Sequence, residues 1–522
     1  MKKSQATIVA ICGGASVGVG WLNESFGWLA LIGLAAFLMI HLTQTYSLRG
    51  HFLIGWLHGT ASFAVATHWI PYSAGYLLDN AAWSVPIGLG VWIYVGLQYA
   101  IIGLALAAFR RRTKQAWLVA PAVWLVVLYL FPNLFPFLPA CLLTGYEPLL
   151  QLAEVGGVYL VSIYTLAIAG FIAWTFCGVF DFYRFGMATG KGFKCRCFAA
   201  TILFAICLWG DARMGIFDEQ YQAASNEKLN VGLVQAATQY DTSHQRMIDA
   251  SNAMAPMVDL ILWPENSLGN YSTELHDFSN ADQVFENSRG EGLRYQPWSQ
   301  QNTPLLAGAD TWRPSLESTD NSQEDPMRHV SALLIDANQQ LVACRHKIKL
   351  MPFGEYIPGE SMIPGLYDWL GNGPPIAAGK VNEPLAELKG LKIGTLLCCE
   401  DMHPGLAAEQ VRAGSNLLVT LGNNVVFNSD TVGQQHFRIA RFRAIENRVP
   451  MIRCMSTGVS GVLSPSGSVQ VRLPEGEDAA VVAPLHKLKA SKTVFNRLGH
   501  SIPITLLCVC VGLVLVSIRK SQ

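Results

Sequence analysis

Seven apolar runs of membrane-spanning length crowd into the first 212 residues, near 6–22, 27–46, 52–72, 85–108, 116–137, 155–180 and 197–212; an eighth runs from about 501 to 518. A helix needs about 20 mostly apolar residues to cross a bilayer. Each run therefore predicts a span. The first is the most dilute, because Gly13, Gly14, Gly18 and Gly20 interrupt it. Lys2 and Lys3 precede it, as in a signal peptide, but no clean A-x-A cleavage site follows, so an uncleaved anchor is expected. Only 14% of the residues are charged, against about 25% in soluble domains. A wholly soluble or disordered chain is thereby excluded.

The charges between the runs predict their orientation. With the N-terminus inside, the cytoplasmic segments hold 13 basic residues: Lys2, Lys3, Arg49, Arg110, Arg111, Arg112, Lys114, Arg184, Lys191, Lys194, Arg196, Arg519 and Lys520. The opposite loops, near 23–26, 73–84 and 138–154, hold none. Residues after the seventh run then lie outside the cytoplasm, and the eighth run returns the C-terminus inside. The expected organisation is a membrane domain over 1–213, an extracytoplasmic domain over 214–499, and a last span with a cytoplasmic tail over 500–522.

Between Arg213 and Gly499 stand 24 basic and 31 acidic residues. That acidic balance disfavours a nucleic-acid surface. Twelve cysteines in 522 residues are too sparse for a disulfide scaffold, and no zinc-like spacing occurs. Met187-Ala188-Thr189-Gly190-Lys191-Gly192 falls short of a P-loop, lacking its first Gly and closing Ser or Thr. Short apolar runs predict strands over 229–236, 259–265, 304–310, 329–336, 341–350, 391–400, 415–422 and 449–456. Helical periodicity marks 242–258, 404–414 and 432–448. The alternation predicts a layered α/β domain.

Three predicted strand ends each carry one reactive side chain. Glu265 closes LWPE, Lys347 stands in HKIKL, and Cys398 ends IGTLLC. Singly, each has an ordinary reading: a solvated carboxylate, a surface lysine, a small buried thiol. Together they are the parts of a thiol acyl-transfer site. A carboxylate of raised pKa can take the thiol proton, and a fixed ammonium can hold an oxyanion.

That order of Glu, Lys and Cys resembles the carbon–nitrogen hydrolase (nitrilase) superfamily. With the eight spans around it, nearly the whole chain is similar to the apolipoprotein N-acyltransferase family. The resemblance rests on VGLVQA (231–236), LWPEN (262–266), the run Lys347 to Pro358, CCE (398–400), QHFRIARFRAIENRVP (435–450), GWLHG (55–59) and HWIPYS (68–73). It implies an αββα sandwich, with Glu265, Lys347 and Cys398 as the catalytic set and supporting roles for Glu355 and Glu400. The family's K-x-x-L spacing selects Lys347 over Lys349. It implies a phospholipid as acyl donor, a diacylglyceryl-cysteine lipoprotein as acceptor, and an inner-membrane enzyme with its catalytic domain on the periplasmic side. No metal or cofactor is implied, because a thioester stores the acyl-transfer potential. Cys399 stands where the family carries an aromatic residue, and Asn424-Val425-Val426-Phe427 stands at its Asp-Ala-Trp-Phe run. A membrane-tethered amidase, or an acyltransferase with another acceptor, remains the alternative. Met362, Ile363, Leu366, Tyr367 and Trp369 make an apolar arm expected either to guide lipid to the site or to fold into the core. Intramembrane His41, His58 and His68 are further candidates for a functional role.

Overall fold

A computed structural model of the chain describes residues 1–512 except 78–79, 113–115, 134, 186–189, 225–227, 237–242, 269, 273–284, 287–291, 294–302, 314–326, 339, 361, 364, 366–375, 489–491, 499–500, 502–503, 506–507 and 510–511. It divides into two compact units, one of Met1–Ile216, Val426–Thr431 and Thr493–Gln522, the other of Phe217–Val425 and Val432–Lys492.

The first unit is helical. Its helices are α1 (Lys3–Leu22), α2 (Gly27–Thr43), α3 (Leu48–Ala66), α4 (Ile70–Leu77), α5 (Ser84–Arg112), α6 (Ala116–Leu130), α7 (Glu147–Leu150), α8 (Ala153–Phe185) and the greater part of α9 (Gly190–Ala223). Among the described residues, five segments are long and apolar enough to cross a membrane: Lys3–Leu22, Glu24–Thr43, Ala81–Arg111, Ala153–Gly178 and Phe193–Ala223. Two expected spans form shorter or more polar helices. α3 carries Arg49, His51 and His58, and α6 contains Pro121 and ends before Pro132. The expected eighth span lies mostly outside the described residues.

The glycines that dilute α1 pack it. A Cβ on Gly14 would lie 2.1 Å from the His58 carbonyl oxygen, and one on Gly33 would lie 2.2 Å from that of Gly13. Close backbone approach through small residues is the usual way helices associate in lipid. His41 Nδ1 meets His51 Nδ1 at 3.0 Å. Phe37 packs against His41 and His58 at 4.3 and 4.9 Å.

The second unit holds two sheets. The strands are β1 (Lys228–Gln235), β2 (Leu260–Leu262), β3 (Asn270–Ser272), β4 (Phe285–Glu286), β5 (Gly292–Leu293), β6 (Leu305–Arg313), β7 (Met327–Ile335), β8 (Leu341–His346), β9 (Ala386–Leu388), β10 (Leu391–Leu397), β11 (Leu417–Gly422), β12 (Met451–Met455), β13 (Gly461–Leu463), β14 (Val469–Arg472) and β15 (Ala479–His486). The first sheet runs β15-β1-β2-β6-β3-β4-β5, with β7 on β6 and β8 on β7; the second runs β14-β13-β12-β11-β10-β9. β1, β2 and β6 pair in parallel, as do β10, β11 and β12.

Alternation along the strands sends one face of each sheet toward the other. Val231, Leu233, Leu262 and Leu306 of the first meet Ile393, Leu397, Val419 and Ile452 of the second in one core. The outer faces are covered by helices. α10 (Ser243–Met254) lays Met247 and Met254 against Ile261, Trp263 and Leu305. α11 (Pro404–Arg412) and α12 (Asp430–Asn447) lay Leu406, Val411, Phe437 and Ala444 against Leu396 and Leu418. These are the four layers of an αββα sandwich. A short helix, α13 (Val494–Leu498), belongs to the first unit.

Candidate active site

Strands from both sheets end at one place. β2 stops at Leu262, and the chain turns through Trp263-Pro264-Glu265-Asn266. The Trp263 indole N–H donates to Ser251 Oγ at 2.9 Å, and Asn266 takes a left-handed φ of 56°. The neighbouring strand makes room with a glycine. A Cβ on Gly308 would lie 2.4 Å from Glu265 Cα and 2.7 Å from Pro264 O, and the Gly308 N–H donates to that oxygen at 3.0 Å.

β8 ends at His346, so Lys347 is the first residue beyond it. Its N–H donates to Val330 O at 2.8 Å. Its side chain is 1% exposed. Nζ donates to Glu265 Oε1 at 3.0 Å and to Glu355 Oε1 at 2.6 Å. Glu355 Oε2 accepts the Met351 N–H at 2.7 Å, bracing the turn that carries it. Lys349 contributes main-chain groups only: its N–H donates to Glu400 and its carbonyl accepts from the Cys399 thiol at 3.5 Å.

β10 ends at Leu397. Cys398 opens a 3-10 turn, Cys398–Met402, at φ 48°. A left-handed conformation is uncommon for a residue with a side chain and is held only when its surroundings enforce it. The Cys398 sulfur lies 3.8 Å from Asn423 O, and its thiol interacts electrostatically with the Glu265 carboxyl group and the Lys347 ammonium. Cys398 is partly exposed, whereas Cys399 beside it is buried. Glu400 ties the two sheets' strand ends together. Its Oε1 accepts the Ile348 and Lys349 N–H groups at 2.6 and 3.0 Å, and its Oε2 accepts the Leu397 N–H at 2.8 Å. The geometry thus brings Glu265, Lys347, Glu355, Cys398 and Glu400 together.

Burial pushes the Glu265 carboxyl up to about 7, against the pull of the Lys347 ammonium and with the Glu355 charge adding to the rise. Burial works against the Lys347 charge, but the acidic groups around it, Glu265 first, hold its pKa well above the ordinary value. Burial and the Glu265 charge together hold the Cys398 thiol up, with Lys347 opposing. The resting arrangement is a thiol beside a carboxyl poised near neutrality and a fixed cation. This arrangement can remove a thiol proton and receive negative charge on an attacked carbonyl.

His436 belongs to a buried network that the sequence does not mark. His436 Nε2 lies 2.6 Å from Asp401 Oδ1, and Arg453 Nη1 donates to Asp401 Oδ2. No local signal marks this network, because its members come from a turn, a helix and a strand. Of the apolar arm, Met362 and Ile363 are 85% and 60% exposed; Leu366, Tyr367 and Trp369 lie outside the described residues. Asn424 is buried with neither amide atom hydrogen-bonded among the described residues, and Val426 is exposed. Within the helical unit His41 and His58 are buried and His68 is exposed. No group of three or more His, Cys, Asp or Glu side chains among the described residues is arranged to hold a metal ion.

Two sequence-family profiles match the chain: "Apolipoprotein N-acyltransferase N-terminal domain" over residues 13–171 and "Carbon-nitrogen hydrolase" over residues 230–489. An apolipoprotein N-acyltransferase of Geobacter metallireducens is 24% identical over 511 residues, covering 94% of this chain and 91% of its own. One from Azotobacter vinelandii is 26% identical over 458 residues, covering 82% and 79%. Among solved structures, a nitrilase-superfamily amidase from Nesterenkonia AN1 aligns with 49% of this chain and 90% of its own, at 18% identity and a TM-score of 0.34.

Proposed function

We propose, for a chain that joins an apolipoprotein N-acyltransferase N-terminal domain to a carbon–nitrogen hydrolase domain, that it moves a fatty acyl chain from a membrane phospholipid to the N-terminal amine of a diacylglyceryl-cysteine lipoprotein. The observation that carries this reading is the Lys347 ammonium held between Glu265 and Glu355, beside a thiol on a left-handed turn. Relatives of the same name align along most of the chain's length and support it.

The residues take these parts. Glu265 accepts the Cys398 proton, and the sulfur attacks the ester carbonyl. Lys347 holds the oxyanion that forms. The carbon–oxygen bond breaks, the lysophospholipid leaves with the proton from Glu265, and a thioester remains on Cys398. The lipoprotein amine attacks the thioester and gives a proton to Glu265. The carbon–sulfur bond breaks, the thiol is restored, and the product is an amide. Glu355 braces the ammonium, and Glu400 keeps the Lys347 and Cys398 strand ends in register.

The proposal includes the organisation expected from the charges: a membrane domain over 1–213, a catalytic domain over 214–499 on the periplasmic side of a bacterial inner membrane, and a last span over 500–522. Eight spans and cytoplasmic termini follow from it. The exposed Met362 and Ile363 support an apolar arm that shields the acyl chain from water on its way to Cys398.

Mass spectrometry of a lipoprotein N-terminus, from cells with and without this protein, tests the reaction. The expected product carries a third acyl chain, on the amine. In the isolated protein, Cys398→Ala should abolish the acyl-enzyme and Cys399→Ala should retain it. The reverse pattern would reject Cys398.

A further inference from the structure

A carboxylate close to the site has one oxygen without a hydrogen bond. On β6, Leu306 packs in the core between the sheets, whereas Ala307 and Ala309 pack on the outer side. Gly308 and Asp310 therefore share the inward face with Leu306. Gly308 lies under Glu265, where a Cβ would come within 2.4 Å of Glu265 Cα. Asp310 stands two residues farther on, about 7 Å along the strand. Opposite it on β7 is Val330, whose carbonyl accepts the Lys347 N–H at 2.8 Å. Lys347 thus starts beside this strand pair and reaches across it to Glu265. Asp310 is 8% exposed. Its Oδ2 accepts from Arg328 Nη2 at 2.6 Å. Its Oδ1 is buried and has no hydrogen-bond partner among the described residues. A buried polar atom left unpaired is costly and uncommon.

The surrounding charges define the missing partner. The Lys347 ammonium is directed to Glu265 and Glu355, and Glu400 accepts main-chain N–H groups. Once the lysophospholipid has left with the Glu265 proton, Glu265, Glu355 and Asp310 stand as three anions against Lys347 and Arg328. A partner for Oδ1 must donate a hydrogen bond and bring positive charge. A phosphate does neither, and a hydroxyl does only the first. We propose that Asp310 is a binding residue for a primary ammonium group, held on Oδ1 next to the acyl-enzyme. The inference rests on the proposed reaction, in which two groups have this chemistry: the α-amine of the acceptor and an amine head group on the donor. Burial holds the Asp310 carboxyl above its ordinary value against the pull of Arg328, and a bound cation favours its ionised form. An α-amine titrates near about 8. The held ammonium therefore gives the neutral nucleophile by losing one proton to water, and transfer then runs through Glu265.

The test splits the reaction at the acyl-enzyme. Full-length protein in detergent micelles is loaded with p-nitrophenyl butyrate, and intact mass identifies the adduct on Cys398. The adduct is then discharged by a synthetic peptide with a free diacylglyceryl-cysteine N-terminus, or by hydroxylamine, which is uncharged at neutral pH. Asp310→Asn keeps an oxygen for Arg328 and turns an amide donor toward the subsite. It should lose about 10- to 100-fold in kcat/KM for the peptide relative to hydroxylamine, mostly through KM. Arg328→Gln breaks the same ion pair from its other end and leaves the Asp310 charge in place. An ion pair that only stabilised the strands would suffer alike from either end. We expect the selective loss in Asp310→Asn to exceed that in Arg328→Gln by at least about tenfold. A second arm compares loading by phosphatidylethanolamine and phosphatidylglycerol of the same acyl chains.

A selective loss in discharge by the peptide assigns the subsite to the acceptor amine. A selective loss confined to loading by phosphatidylethanolamine assigns it to the donor head group. Parallel losses with every probe, or the same selective loss in Arg328→Gln, would overturn the ammonium subsite. If Asp310→Asn does not fold, the double variant Asp310→Asn/Arg328→Gln, which leaves neither charge unpaired, carries the same expectation. A parent protein that forms no adduct on Cys398, or whose adduct the peptide does not discharge, would reject the proposed reaction and the subsite with it. The parent thus tests the reaction, and the variants test the subsite.

Discussion

The two halves of the candidate site are built by different means. Glu265 and Lys347 come from the nine-stranded sheet and are held by side-chain charge: an ammonium 1% exposed with two carboxylate partners. Cys398 comes from the six-stranded sheet and is held by its backbone, through a left-handed φ and the Glu400 bond to Leu397. The charged half sets proton affinities. The backbone half sets direction. Charge alone would pull a cation and two anions together in many geometries, whereas a thiol needs one line of approach to its base and to a carbonyl carbon. Glu400 joins the halves, since its carboxylate accepts main-chain N–H groups from both sides.

Breaking the charged half should have the largest effect. Lys347→Met removes the oxyanion's cation and leaves Glu265 and Glu355 facing each other in a buried site. Loss of one oxyanion donor costs about 10²–10³ in kcat, and removing one partner of a buried pair destabilises by about 3–5 kcal/mol. We expect both losses, read by single-turnover acylation and by thermal unfolding. Lys349→Met, whose site contacts are made by the main chain, should change acylation by less than about threefold. A larger loss in Lys349→Met than in Lys347→Met would contradict the assignment. Glu400→Gln sharpens the comparison from between the halves. It keeps the shape but weakens charge-assisted bonds worth about 1.5–3 kcal/mol each. A loss of about 10- to 100-fold in kcat is expected, with the Glu265–Lys347 pair still formed in a crystal structure. An unchanged rate would show that the strand ends keep register without it.

How much of this was legible beforehand follows from the same division. The three reactive side chains stand at strand ends, where apolar runs stop, and that punctuation is visible in LWPE, HKIKL and TLLC. The helices over 243–254, 404–412 and 430–447 show their periodicity. The left-handed Cys398 was not legible, because no Gly or Asn marks it; the turn is held by Glu400, whose partners Ile348 and Lys349 come from a segment distant in sequence. β13, β14 and β15 escaped as well. They are short, partly exposed or interrupted by Pro484, and they are strands because β12, β13 and β1 in turn offer them edges. In the helical unit, glycine read as dilution of a span is the surface on which α1 meets its neighbours. Spacing shows a small residue but not the backbone that approaches it.

The smallest expected effect tests which half controls the proton. Burial raises Glu265 to about 7 and holds the Cys398 thiol up as well. If the carboxylate is the base, acylation requires it deprotonated. The active fraction then falls as pH drops through 7, because a base of raised pKa gains its proton sooner than an exposed carboxylate would. At pH 6 the single-turnover rate should be roughly a tenth of its plateau, with the plateau reached near pH 8. Glu355→Gln should move the midpoint down, since the Glu355 charge contributes to the rise. A thiolate already formed in the resting site behaves otherwise: its rate would stay flat through this range and follow a low thiol pKa. A profile flat from pH 5 to pH 8 would therefore transfer control of the proton from the carboxylate on the first sheet to the thiol on the second.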